Sequence, residues 1–166
     1  IAGYIENFIS EKVTEECTVA EVAENLLAFF GQYSPTPATN FIVAGYNKDS
    51  LTPHIRRVRI ASKEIIPIST NASGVVWDGE TDTLTRLVQN IALKNSDGTY
   101  SDLAFYPIGY NYFTLQDAID FAEYSVDVTI KTMAFKDCVK TVGGPIDILA
   151  IKPSGAFWIQ RKELHA

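Results

Sequence analysis

The side chains able to do chemistry are few and far apart in this 166-residue chain. Histidine occurs at His54 and His165, and cysteine at Cys17 and Cys138. A Ser/His/Asp triad needs a base oriented by a third group, and a zinc site needs Cys and His at short spacing. Neither pattern is present, nor is a glycine-rich phosphate loop, so no metal and no cofactor is expected. Asp117, Asp120, Glu123 and Asp127 fall near one face of a helical stretch. Calcium usually draws its oxygens from loops, which makes a solvated helix face the expected reading. His54-Ile55-Arg56-Arg57-Val58-Arg59 is basic, but strand alternation sends Arg56 to one face and Arg57 and Arg59 to the other. Trp77-Asp78-Gly79-Glu80-Thr81-Asp82 sets a tryptophan and acids at a helix start. It can line a pocket, or Trp77 can pack while the acids favour the helix dipole, and the second reading is preferred. Cys138, between Lys136 and Lys140, reads as a small buried hydrophobe rather than a reactive thiol.

Composition narrows the class further. Hydrophobic residues make up 46% and charged residues 20%, which suits a folded core rather than a disordered chain. The net charge of −6 argues against a phosphate-backbone binder, so no nucleic-acid partner is expected. No run approaches the roughly 18 apolar residues of a membrane span, and no signal-peptide pattern opens the chain. With only two cysteines the expectation is a soluble, cytoplasmic protein without a membrane partner. The one methionine is Met133, so the chain is expected to begin inside a longer sequence.

These residues must be positioned by an alternation of helices and strands. Tyr4, Ile5, Phe8, Ile9 and Val13 have helical spacing, and Thr18-Val19-Ala20-Glu21 is a capping box. It opens an amphipathic helix through Val22, Ala23, Leu26, Leu27 and Phe30 that ends near Gly31. After the connector Ser34-Pro35-Thr36-Pro37, Asn40 to Tyr46 reads as a buried strand, and His54 to Ile60 and Glu64 to Ser69 as strands with one wet face. Together they predict an antiparallel sheet. A helix starting at Thr81 and carrying Leu84, Leu87, Val88, Ile91 and Ala92 is expected to run to Asn95-Ser96-Asp97-Gly98. Residues 99–113 form an aromatic-rich insertion, either a partner surface or a flap over the domain's own core. Thr114 opens a long helix, with Leu115, Ala118, Ile119, Ala122, Val126, Ile130 and Met133 as its core stripe, that runs to about Lys136. Gly143-Gly144-Pro145 stops helical structure. Ile146 to Ile151 reads as a strand covered on both faces, Lys152-Pro153-Ser154-Gly155 as a turn and Ala156 to Gln160 as a second strand.

The order of these elements resembles the proteasome-type branch of the N-terminal-nucleophile hydrolases. Four local matches carry the resemblance, and they span most of Val19 to Gln160. The first is the helix Val19 to Phe30 leading into a proline connector. The second is Phe41-Ile42-Val43-Ala44-Gly45-Tyr46, like the family's strand ending in Ala-Gly-Tyr or Ala-Gly-Phe. The third is Leu115-Gln116-Asp117-Ala118, like its helix opening with Leu-x-x-Ala. The last is Gly143-Gly144-Pro145-Ile146-Asp147-Ile148, followed by a Lys-x-x-Gly turn.

The resemblance implies an α+β fold: a four-layer αββα sandwich of antiparallel sheets, formed by a single domain over residues 1–166 and incomplete at the N-terminus. It further implies amide or peptide bond hydrolysis by an N-terminal Thr, Ser or Cys whose free amine acts as its base. The chain starts at Ile1, with an opening that resembles the family's first helix, so the nucleophile is expected on strands outside this segment and no catalytic residue is assignable. Ser73-Gly74 stands roughly where the family has Gly-Ser-Gly. Before Gly143-Gly144, where the family often has Asp-x-x-Ser-Gly, the chain reads Val139-Lys140-Thr141-Val142, with Asp137 two places too early. Ser73, Gly74, Asp137, Thr141, Gly143 and Gly144 are thus the implied supporting positions. Implied partners are a peptide substrate and further copies or homologous subunits. The alternatives are a non-catalytic assembly member of the same fold and an unrelated α/β binding domain.

Overall fold

The computed structural model describes residues 2–162; Ile1 and His165 lie outside the described residues. The fold is mixed α and β, with four α-helices and small antiparallel sheets among the described residues. The chain divides into two compact units, Ile1–Ser73 with Ile151–Ala156, and Gly74–Ala150 with Phe157–Ala166.

In the first unit, helix α1 (Ala2–Lys12) and helix α2 (Val19–Gly31) precede strands β1 (Asn40–Tyr46), β2 (Pro53–Arg59) and β3 (Glu64–Ile68). The predicted capping box starts α2: Thr18 Oγ1 accepts from the Glu21 amide at 3.2 Å, and Glu21 Oε2 accepts from the Thr18 amide at 2.8 Å. Asn47 Oδ1, from the turn after β1, accepts from the Val19 amide at 3.0 Å. Three N–H groups that helix geometry leaves without a carbonyl are thereby satisfied. Ala23, Leu26, Phe29 and Phe30 lie buried with Phe8, Val58 and Ile60. The rings of Phe8 and Phe29 meet edge to face with centroids 5.6 Å apart, a favoured aromatic geometry.

The sheet has the order β1-β2-β3, both pairs antiparallel. Phe41 opposes Val58, and Val58 opposes Ile65, so these three share the face that packs with the α2 core. The same alternation puts Ile42, Ala44, Ile55, Arg57, Ile66 and Ile68 on the second face. That face carries an apolar patch around Arg57, with Asn40, Arg59 and Glu64 at its polar end. The expectation of a buried β1 is corrected here: Ile42 is 40% exposed and Ala44 is exposed, because α2 covers only one side of the strand. Arg56 and Arg57 do fall on opposite faces, and Arg59 meets Glu64 at 3.4 Å at the surface.

The second unit opens with helix α3 (Asp82–Val88), which is shorter than predicted. Ile91 and Ala92 leave the helix, and strands β4 (Ala92–Lys94) and β5 (Tyr100–Asp102) form a hairpin instead. Its turn is strongly specified: Asp97 Oδ1 accepts from the Thr99 amide at 2.9 Å and from its hydroxyl at 2.7 Å, and Gly98 has φ +86°. Local side-chain bonds and a positive-φ glycine outweigh the helical spacing of two apolar residues. A 3-10 turn at Tyr110–Tyr112 leads to helix α4 (Leu115–Phe135). Thr114 and Asp117 form a second capping box at the predicted helix start.

The predicted stripe of α4 is only partly covered. Met133 is buried, whereas Leu115 and Val126 are exposed at 47% and 40%. Strands β6 (Ile148–Lys152) and β7 (Gly155–Gln160) pair as the predicted hairpin. The expectation that both faces of β6 are covered is corrected: Ile148 and Ala150 are buried, while the alternating Leu149 and Ile151 are exposed, as is every residue of β7. No helix among the described residues is long and apolar enough to cross a membrane.

The two capping boxes predict a pH dependence. Hydrogen bonds from Thr18 hold the Glu21 carboxyl below its ordinary pKa, and bonds from Thr114 do the same for Asp117. A carboxyl whose pKa is lowered on folding stabilises the fold above its unfolded pKa, roughly 4, and loses that contribution as pH falls through the folded value. Urea midpoints should therefore fall from pH 6 toward pH 3, with a shallower fall in Glu21→Gln. Equal slopes for the two proteins would contradict the assignment.

Candidate functional site

Within the second unit a pocket of about 130 Å³ is lined by Trp77, Asp78, Glu80, Leu84, Ser125, Val126, Thr129 and Val142. Three sequence segments build it: the loop before α3 together with the start of α3, one face of α4, and the loop that carries Gly143-Gly144. The loop before α3 turns at Gly79, whose φ of +82° is open to glycine at little cost. Asp78 Oδ1 accepts from the Gly79 amide at 2.8 Å, which tightens that turn. The outcome is that Trp77, Asp78 and Glu80 all reach one pocket although they are close neighbours in sequence. Leu84, the first buried residue of α3, forms part of the buried wall.

One bond ties two of the segments together. Thr141 Oγ1 donates to Glu80 Oε1 at 2.7 Å across 61 residues of sequence. It brings the residue beside Val142 to the mouth of the pocket and fixes one oxygen of the Glu80 carboxylate. From α4, Ser125 Oγ donates to Phe121 O at 2.7 Å and Thr129 Oγ1 donates to Ser125 O at 2.9 Å. Both hydroxyl protons are spent on helix carbonyls, so these oxygens can only accept toward the pocket. The loop after α4 is anchored as well: Lys140 Nζ donates to Met133 O at 2.7 Å and to Lys136 O, satisfying carbonyls at the helix end.

The residues singled out from sequence have distinct fates. Trp77 and Glu80 do meet in a pocket, the reading not preferred from sequence. Of the implied supporting positions, Thr141 is the one at this site, through Glu80. Asp137, Gly143 and Gly144 are exposed, with Gly144 at φ +90°. Ser73 and Gly74 are also exposed, at the point where the chain passes from one unit to the other. Cys138 is exposed rather than buried, and its thiol lies 3.5 Å from the Met133 sulfur. The acids of α4 belong to their own helix: Asp117 caps it, Asp120 accepts from Gln116 at 2.7 Å and Asp127 pairs with Lys131 at 2.7 Å. Among the described residues no group of His, Cys, Asp and Glu is placed to hold a metal ion.

The aromatic insertion divides between its two readings. Tyr110 and Phe113 stack on Phe121 of α4 with centroids 5.6 and 5.7 Å away, and burial raises the Tyr110 pKa. Tyr100, Tyr106 and Tyr112 remain exposed. Ser125 and Thr129 were missed from sequence. Their signal was a pair of hydroxyls four residues apart beside the apolar stripe of a helix, which places both on one face. Comparison with family models, curated proteins and solved structures found no match.

The turn geometry predicts opposite outcomes at two nearby glycines. A Cβ at Gly79 or Gly74 would meet nothing within 4 Å, but only Gly79 has positive φ. Gly79→Ala should cost about 1–2 kcal/mol of unfolding free energy from backbone strain alone. Gly74→Ala should be neutral or stabilise by up to about 1 kcal/mol. Denaturant unfolding of the two variants tests the difference, and equal effects would refute it.

Proposed function

We propose that this chain is part of a proteasome-type N-terminal-nucleophile hydrolase: a domain for amide bond cleavage whose nucleophile lies on strands outside the segment. One observation carries this reading, the apolar patch on the second face of the three-stranded sheet. Ile42, Ala44, Ile55, Ile66 and Ile68 lie opposite the face that α2 covers, and Ile42 and Ala44 are exposed. A sheet with apolar side chains on both sides is suited to lie between layers. The exposed Leu149 and Ile151 of β6 make the same demand. A four-layer αββα sandwich, completed by further strands, meets both demands, and it agrees with the order of motifs in the sequence.

A second reading, the non-catalytic assembly member, is favoured by one observation at the candidate site. The Thr141 hydroxyl is committed to Glu80, and Val139 and Val142 occupy the places where helper Asp and Ser residues are implied. The two readings separate when the protein is expressed from its whole reading frame. The hydrolase reading predicts a mature N-terminus beginning with Thr, Ser or Cys by mass spectrometry. It also predicts turnover of fluorogenic peptide amides that is lost when that residue is changed to Ala. An unprocessed chain without turnover would overturn it and leave the assembly member.

A further inference from the structure

We infer that Asp78-Gly79 is a site of spontaneous covalent modification, succinimide closure followed by isoaspartate linkage, and that the fold selects it over the chain's other Asp-Gly pair, Asp97-Gly98. The inference does not depend on the hydrolase reading.

The chemistry needs no catalyst beyond solvent water. The glycine nitrogen bonds to Cγ of the aspartic acid before it, and the amide proton leaves with the carboxyl OH as water. Water then opens the five-membered ring at one of two carbonyls. Breaking the bond from Cγ to nitrogen restores aspartate, and breaking the bond from the main-chain carbonyl carbon leaves the chain running through the side chain as isoaspartate. The step that the fold can set is the first, because the nitrogen must lie against its own carboxyl.

The two pairs match in everything but that approach. All four residues are exposed, so water reaches both sites. Both glycines lie at positive φ, +82° for Gly79 and +86° for Gly98, and a Cβ at either would meet nothing within 4 Å. They differ in what the glycine nitrogen faces. Gly79 N sits 2.8 Å from Asp78 Oδ1, one bond from the carbon it would attack. Asp78 makes a further interaction as well, which limits its freedom to turn away from that nitrogen.

At the second pair the groups are held apart. Gly98 N donates to Asn95 O at 3.0 Å, and Asp97 Oδ1 accepts from the Thr99 amide and hydroxyl at 2.9 and 2.7 Å. Attack by Gly98 would break the bonds that close the β4–β5 turn. Isoaspartate at 78 adds one carbon to the main chain between Trp77 and Glu80, two residues of the pocket.

The test ages the full chain in mildly acidic buffer, where more of each carboxyl is protonated, with a parallel sample unfolded in urea. Isoaspartate is labelled with an isoaspartyl carboxyl methyltransferase and located by mass spectrometry in the tryptic peptides 64–86 and 95–131, which separate the two sites. Folded protein should carry at least about tenfold more label at Asp78 than at Asp97, as expected where one reacting pair is aligned and the other is not. In urea the ratio should fall to about one. Similar labelling of both sites in the folded protein, or an excess at Asp78 that persists in urea, would overturn the assignment.

Discussion

A small sheet that carries apolar side chains on both faces, with a helical cover on one of them, is the constraint that shapes this protein. The covered side is well built: α2 is fixed at its start by Thr18, Glu21 and Asn47, and its stripe packs with Phe8, Val58 and Ile60. Alternation in β1 and β2 sorts residues into a set that faces α2 and a set that faces away. The set that faces away carries the apolar patch, and exposed isoleucine on a flat sheet is unfavourable at about 25 cal/mol for each square ångström left in water. The β6–β7 hairpin has the same character, with Leu149, Ile151, Phe157, Trp158 and Ile159 all exposed. Both features call for further layers, which is the physical content of the proposed sandwich.

The pocket of the second unit obeys a different logic. Its shape depends on polar bonds that consume donors: two hydroxyls turned back on α4 and a third committed to Glu80. A site made this way has its hydroxyl protons committed within the fold. Its hydroxyls are poorly placed to polarise a carbonyl, for which preorganised donors are needed.

Much of the framework was legible in the sequence because it rests on local signals. Both capping boxes, β1 and the end of α4 could be read from spacing and from Thr with Glu or Asp three residues on. Other features depended on context. Helical spacing at Ile91 and Ala92 lost to the Asn95–Thr99 turn, whose side-chain bonds exist only once the chain folds back. Apolar runs in β1 and β6 suggested burial on both faces, yet a run of Ile, Val and Leu carries no record of what covers it. The pocket was half legible: Trp77 and Glu80 stood out, but their link to Thr141 joins positions that no local pattern relates, and Ser125 and Thr129 looked like ordinary helix residues.

The central claim, that the exposed sheet surfaces are interior layers of the working protein, is tested most directly at Trp158 on β7, which is 50% exposed here. The protein is expressed from its whole reading frame with Trp77→Phe, so that Trp158 is the reporting tryptophan of this segment, and its emission and quenching by acrylamide are measured. The account predicts blue-shifted emission and weak quenching, as for a residue between packed layers. Red-shifted emission with free quenching would contradict it.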